Sequence, residues 1–457
     1  MRLSLADVVE ATGGRPTGGP TAVGFGSYHA DSREVQPGGL FFALKGAVLD
    51  GHAFCADAVA RGAAGVVVDR DASIAGAAVI QVTDTWQALY DLARHVLRQT
   101  SPLVVGITGS NGKTSTKEMT AAVLGVGHRV LKTDANLNTE TGVPLTLLRL
   151  ERDHTAAVLE MGMQGPGEIA QLAELARPRV GIVTMVGSVH LEYFDDPEGL
   201  ARAKGELVAA LPGDGLAVLN AEDGWFDLLR DLSKAPVVGF GVEAGDLRAE
   251  SYSPLPEGGS VLTVDGVQVR IGLDGRHQAR NALAALAAGR FAGVSLPEAA
   301  GALADVRVEH RLQVLRGRGG YTLVDDSYNA SPESMLAAFE TLVERPRSGR
   351  LFAVLGEMRE LGLAASAAHE SIGRRAREVF DHAAVVEAGH GQLLARAAGA
   401  DLLPNNRAAL SWVRDHARTG DVLLVKASHG VGLHEIVREL VDAGKTGTDV
   451  GLLGGHS

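Results

Sequence analysis

Residues Thr108-Gly-Ser-Asn-Gly-Lys-Thr-Ser-Thr116 set two glycines, one lysine and a cluster of hydroxyls directly behind the apolar run Pro102–Ile107. A buried strand feeding a glycine-rich turn, and a turn opening a helix over about Lys113–Leu124, aim backbone N–H groups and the positive end of a helix dipole at one point. Lys113 adds a mobile charge for β- and γ-phosphates, and Thr114 a hydroxyl suited to Mg²⁺. The spacing departs from the usual phosphate loop, because the position five before Gly112 is Ile107 rather than glycine. A nucleoside triphosphate is expected here.

Other groups carry chemistry by position. Glu160 closes the run Ala156–Leu159, and ligands gather beyond the carboxyl ends of strands in an open α/β sheet. A carboxylate there can share Mg²⁺ with Thr114; a solvated strand-end glutamate is the alternative. His190 follows the run 180–184 and is open to metal or phosphate contact or to a structural role. Lys204, by residue type alone, reads as a surface lysine of a helix. Asp325-Asp-Ser-Tyr-Asn-Ala-Ser-Pro332 closes a strand and starts a helix, so its acids either cap that helix or reach ribose or phosphate from a second domain. Arg311 stands where one series of elements gives way to the next. A surface arginine is the default there, and contact with a phosphate after domain closure is the functional alternative.

The elements that must position these groups alternate as in α/β proteins. Strands are expected at Phe41–Leu44, Gly65–Asp69, 103–108, 156–160, 180–184 and 215–219, with helices at Ala53–Gly62 and Thr85–Thr100. Val261–Ile271 alternates around Asp265-Gly266, a hairpin signal, and helices follow at Asn281–Phe291 and near Leu296–Leu303. A second series has strands at Tyr321–Val324, Leu351–Leu355, Ala384–Glu387 and Val422–Val425, without a Gly-x-Gly-x-x-Gly turn. The 457 residues suit three domains, divided as 1–84, 85–312 and 313–457. The Gly-Lys-Thr in the tail 444–457 follows no strand, so a terminus without a second phosphate loop is expected. A net charge of −12 argues against a nucleic-acid groove, and Cys55, the single cysteine, rules out an internal disulfide. The first residues lack the apolar core of a signal peptide, and no apolar run approaches a membrane span. A soluble cytoplasmic protein without membrane insertion is expected.

Together these segments resemble the Mur ligases, ATP-dependent amide-forming enzymes of peptidoglycan synthesis. The resemblance runs along nearly the whole chain. It rests on Asp31-Ser-Arg33, Gly38–Gly46, Thr108–Thr116, Asn136-Leu-Asn138, Gly142–Leu148, Gly167-Glu-Ile169 and Ala203–Glu206. Gly275-Arg-His277, Asn281–Ala285, Asp325–Pro332, Gly356–Gly362 and Val425–Ser428 complete it, and Asp325–Ala330 is the part most specific to the dipeptide-adding branch.

The resemblance implies three α/β domains: a uridine-nucleotide domain, a central mononucleotide-binding sheet and a Rossmann-like C-terminal domain. It implies that ATP drives the joining of D-alanyl-D-alanine to UDP-N-acetylmuramoyl-tripeptide through an acyl phosphate, by a protein acting as a monomer. On this resemblance Gly109, Ser110, Asn111, Gly112, Lys113, Thr114 and Ser115 bind ATP, with His277 and Asn281 at adenine, Asp326 at ribose and Arg311 at the γ-phosphate. Thr114, Glu160, His190 and Lys204 hold magnesium, Lys204 as a carbamate. Lys113, Lys204 and Arg311 form the catalytic set. Ser32, Arg33, Lys45, Asn138, Thr139, Tyr328 and Asn329 meet the substrates. The chain departs from the family pattern at Gln164-Gly165, at Gln278, and at His429, where the family's usual residue is arginine.

Overall fold

A computed structural model describes residues 1–441 except 190, 195, 256, 257 and 346. The expected tail 444–457 and His190 therefore lie outside the described residues.

The central sheet has seven strands in the order 247–248, 237–241, 216–220, 180–183, 103–108, 156–160 and 130–132, all parallel. Its inner strands, such as Leu103–Thr108, Ala156–Glu160 and Val180–Val183, are buried along nearly their whole length. That is the condition of a parallel sheet covered on both faces, and it explains their unbroken apolar runs. The chain leaves Leu103–Thr108 for strands on one side of it and later returns to its other side. The carboxyl end of this strand is therefore a switch point, where helices diverge and a crevice opens.

One side of that crevice is shaped by a close approach. A Cβ on Gly106 would meet Leu207 Cδ1 at 2.8 Å, and one on its register partner Gly181 would meet Leu207 and Leu211. With hydrogen atoms there instead, the helix Pro197–Ala209 lies directly on the sheet and carries Lys204 inward, one turn before Leu207. A three-stranded antiparallel sheet, 251–254, 260–264 and 267–271, adjoins the central unit and contains the expected hairpin.

The N-terminal unit is a five-stranded sheet ordered 15–18, 78–81, 65–68, 40–42, 28–29. Helix Thr85–Thr100, capped by the Asp84 carboxylate, joins it to the central unit. Its apolar stripe of Ala88, Leu89, Leu92 and Val96 shares one core with Phe42 on one side and with Leu159 and Leu207 on the other. The C-terminal unit is a six-stranded sheet ordered 313–316, 322–325, 422–426, 351–355, 382–386, 401–403, parallel except for its first strand. Several expectations shift in detail, the strands placed at Phe41–Leu44 and Ala384–Glu387 being Leu40–Phe42 and His382–Val386. The helix placed at Ala53–Gly62 is a 3₁₀ turn, Gly51–Phe54, followed by a helix Cys55–Ala60. The helix placed at Asn281 starts five residues earlier, at Arg276.

Candidate active site

The phosphate loop is a strained turn clamped from the neighbouring strand. Gly109 has φ 145°, and a Cβ on it would strike the Thr184 hydroxyl; Gly112 has φ 84° and would drive a Cβ to 2.8 Å from Asn281 Oδ1. Only glycine fits both places. Thr184 Oγ1 donates to the Asn111 carbonyl at 2.6 Å, Ser110 N–H to the Met185 carbonyl at 2.8 Å, and Gly187 N–H to Ser110 Oγ at 2.9 Å. Helix Lys113–Leu124 starts at Gly112 without a side-chain cap. Its first N–H groups are thus left for an anion. Ile107 is a fully buried strand residue paired with Glu160 and Ile182. The strand runs on to Thr108, and the turn needs no earlier glycine.

Oxygen ligands assemble at the same strand ends. Thr114 Oγ1 donates to Glu160 Oε2 at 3.1 Å, and Asn138 Nδ2 to Glu160 Oε1 at 2.9 Å. Glu160 is buried, so it is not a solvated strand-end carboxylate. Lys113 Nζ donates to the carbonyls of Gly109 and Ser110 at 2.7 and 3.4 Å. Burial lowers the pKa of this ammonium, offset in part by Glu160 and reinforced by Arg311.

Lys204 corrects the reading by residue type: it is 1% exposed. Desolvation pushes its pKa well below the usual lysine value, and the Lys113 charge adds to the effect. Among the described residues it has neither a carboxylate partner nor a hydrogen bond. The sequence did carry a signal, since Leu200, Lys204, Leu207 and Leu211 fall on one helical stripe.

The C-terminal unit closes the other wall of a cavity of about 330 Å³. Asn111, Gly112, Thr114 and Ser115 line it from the loop, His277 and Asn281 from the next helix, and Arg311, Asp326, Glu333 and Lys426 from across the junction. The acids of 325–332 do not cap the helix they precede: Ser331 does, with Pro332 in the first turn. Asp325 is instead bonded to His310 Nδ1 at 2.5 Å and to Ser327. Asp326 takes Lys426 Nζ at 2.6 Å on one oxygen and Leu312 N–H at 3.2 Å on the other. Hydrogen bonds cross the junction near the loop, from Asn111 Nδ2 to Ser331 Oγ at 3.0 Å and from Ser188 N–H to Glu333 Oε1 at 2.8 Å. At the far end of the same helix Arg345 pairs with Asp274 at 2.9 Å and Glu344 with Arg276 at 3.1 Å.

His277 is held neutral, its pKa lowered to about 4 chiefly by burial. Asn281 Nδ2 donates to Gln278 Oε1 at 3.0 Å, which gives the departure at Gln278 a structural part.

Three family models match the chain: "Mur ligase family, catalytic domain" over residues 27–97, "Mur ligase middle domain" over 107–289, and "Mur ligase, glutamate ligase domain" over 310–429. The UDP-N-acetylmuramoyl-tripeptide--D-alanyl-D-alanine ligase of Bacillus subtilis is 33% identical, covering 96% of this chain and 98% of its own length. The chain belongs to the Mur ligase family. Among solved Mur ligases, MurF from Acinetobacter baumannii superposes with a TM-score of 0.88 at 29% identity, covering 96% of this chain and 99% of that one. MurF from Thermotoga maritima, in a complex with ADP, does so with 0.81 at 31% identity, covering 90% and 96%.

In this Mur ligase the expected substrate residues fall into separate places. Asn138 joins the Glu160 cluster, and the exposed Thr139 starts the turn before helix Gly142–Leu147. Tyr328 stacks on Arg311, and the Asn329 carbonyl accepts from Lys426 at 2.9 Å. Ser32, Arg33 and Lys45 lie in the N-terminal unit, and none of them lines the nucleotide cavity. Ser32 is buried, Arg33 is exposed and paired with Asp31 at 2.5 Å, and Lys45 is exposed with its carbonyl accepting from the Trp86 indole. Residue reasoning gave no role to Lys426, Ser331, Glu333 or Thr184. Each acts across at least 70 residues of sequence, and only Lys426, a lysine ending an apolar strand, carries a local hint.

Proposed function

We propose that this chain joins D-alanyl-D-alanine to UDP-N-acetylmuramoyl-tripeptide, converting ATP to ADP and phosphate. The observation that carries the reading is a cavity in which a phosphate loop meets Arg311, at the boundary of two units, and Asp326 from the C-terminal unit, in a chain of this family. A carboxylate resists attack by an amine until one oxygen becomes a leaving group. Transfer of the γ-phosphoryl group to the peptide carboxylate forms an acyl phosphate and releases ADP. The dipeptide amine then attacks the acyl carbon, the amide bond forms, and phosphate departs. The loop N–H groups and Lys113 hold the phosphates, and Arg311 faces the transferred group. Asp326 is set for ribose hydroxyls, and neutral His277 with Asn281 for the base. Their shared task is to bring two anions together and stabilise charge on the oxyanion.

Thr114 and Glu160 fit a magnesium ion, because both offer hard oxygen donors and magnesium completes its shell with phosphate oxygens and water. Among the described residues no three of His, Cys, Asp and Glu converge on one point. When bound, the ion screens the phosphate charges and polarises the phosphoryl group. Lys204, a buried amine whose pKa desolvation pushes well below the usual lysine value, is set to add carbon dioxide and lose a proton, which gives an anionic carbamate beside Lys113.

Among the described residues no helix is long and apolar enough to cross a membrane. The reading carries with it a monomer working in the cytoplasm, where ATP is supplied. The deciding experiment is product mass after incubation with UDP-N-acetylmuramoyl-tripeptide, ATP and D-alanyl-D-alanine. Amide product and ADP in equal amounts are expected. Phosphate release without any acceptor, and no amide, would refute the reading.

A further inference from the structure

Arg311 is placed with unusual care for a residue with no ionic partner among the described residues. Its neighbours His310 and Leu312 both have positive φ, 57° and 48°, a costly conformation for side chains of this kind. Each is tied down: His310 by its ring to Asp325, Leu312 by its N–H to Asp326. The backbone on both sides of Arg311 is thus pinned to one acidic pair. The side chain itself, among the described residues, has no carboxylate and no hydrogen bond. Its guanidinium carbon lies 4.2 Å from the centre of the Tyr328 ring. Tyr328 meets His429 at 5.9 Å between centroids, and His429 stacks on His434 at 5.1 Å, 6° from parallel. The Tyr328 hydroxyl makes no hydrogen bond among the described residues, so the ring face is what this residue contributes.

A carboxylate would fix an arginine by consuming its N–H donors and cancelling its charge. An aromatic face fixes the plane of the guanidinium through the ring quadrupole and leaves the donors unspent. We infer that Tyr328, backed by the His429–His434 stack, is a positioning residue that aims Arg311 at the γ-phosphate, rather than a contact to the peptide substrate. His429 occupies the position where the family pattern has arginine, and a second cation there would repel Arg311. The inference rests on the reading of Arg311 as the residue facing that phosphate.

The test is a double-mutant cycle read as the affinity for a non-hydrolysable ATP analogue relative to ADP. Arg311→Ala is expected to abolish most of the preference for the analogue. Tyr328→Ala should reduce it about five- to tenfold, in line with a partly desolvated cation–π contact. Tyr328→Phe should keep it within about twofold, and Tyr328→Ala added to Arg311→Ala should change it less than about twofold. Unchanged ADP affinity reports an intact fold in each variant. If Tyr328→Ala costs as much without Arg311 as with it, or Tyr328→Phe behaves like Tyr328→Ala, the platform role is refuted while Arg311 keeps its own. If Arg311→Ala leaves the preference intact, the reading of Arg311 falls first.

Discussion

Replacing Lys204 by methionine should stabilise the protein and destroy its activity together. The side chains are similar in length, so packing beneath helix Pro197–Ala209 is kept. What changes is the amine: it is 1% exposed, has no partner among the described residues, and has a pKa pushed well below the lysine range by burial. In the unfolded chain the same amine titrates near 10.4. Between the depressed native value and that point the unfolded chain binds one more proton than the native one, so wild-type stability rises with pH. Each pH unit below about 10.4 costs the native state about 1.4 kcal/mol while its amine stays neutral. Lys204→Met removes this cost, a gain bounded at about 4 kcal/mol at pH 7.5 and at about 2 kcal/mol at pH 9.

The assay is urea unfolding at both pH values, in carbonate-free buffer without magnesium or nucleotide. Trp225 precedes the helix packed on Pro197–Ala209, and with Trp86 and Trp412 replaced by phenylalanine it is the reporter. Bicarbonate should raise the stability of the wild type with magnesium present and leave the variant unmoved. A stability difference that is the same at both pH values would show that the native amine is charged. The account of Lys204 as a reactive neutral amine would then be wrong.

Lys113→Ala should lower ligation by at least about 100-fold, since it removes a cation at the phosphates; retention of more than a few per cent of the rate in a coupled ADP assay would remove Lys113 from the site. Lys426→Met leaves Asp326 buried and unpaired and should cost about 3–5 kcal/mol in the unfolding of the C-terminal unit, with most of it recovered in Asp326→Asn/Lys426→Met; an unrecovered loss would mean that Lys426 acts through other contacts. His277 titrates at about 4 in the native chain and near 6.5 unfolded. The unfolded state therefore binds the extra proton between those values, and stability falls as pH drops through that window, by up to about 3 kcal/mol. His277→Gln should flatten the acid limb of the stability profile, and an unchanged limb would place a charged histidine in the native site.

Much of this fold is visible in the sequence because parallel strands buried on both faces must be continuous apolar runs. Leu103–Thr108, Ala156–Glu160 and Leu351–Leu355 stand where such runs place them, and helices Lys113–Leu124 and Thr85–Thr100 follow from their glycine and Asp84 caps. The edge strands Val130–Lys132, Leu247–Arg248 and Asp401–Leu403 escape that reasoning, being two or three residues long and partly polar. Helix Arg276–Phe291 starts earlier than expected because its first turn, Arg-His-Gln-Ala, has no apolar period, and its entry point is set by Gly275. At the site, Thr108–Thr116 and Glu160 are legible locally, since strand, turn and helix are neighbours in sequence. Lys204 is hidden by its residue type, although its spacing from Leu200 and Leu207 marks the buried stripe. The partnership of Asp326 with Lys426 spans 100 residues, and its one local hint is a lysine that ends an apolar strand.

The cations around the cavity divide by whether the fold has already neutralised them. Lys426 is paired with Asp326, Arg280 with Glu222 and Arg345 with Asp274, and these pairs build walls and junctions. Lys113 donates to loop carbonyls and feels Glu160 without an ion pair to it, and Arg311 has no carboxylate among the described residues. A chain with 55 acidic side chains has no shortage of counter-ions, so leaving these two without a paired carboxylate is a property of the site rather than of the composition. Holding such charges costs stability until anions arrive. On the proposed function, the triphosphate supplies them to Lys113 and Arg311. Nucleotide binding should therefore stabilise the wild type more than Arg311→Ala or Lys113→Ala, in proportion to the charge each variant no longer has to satisfy.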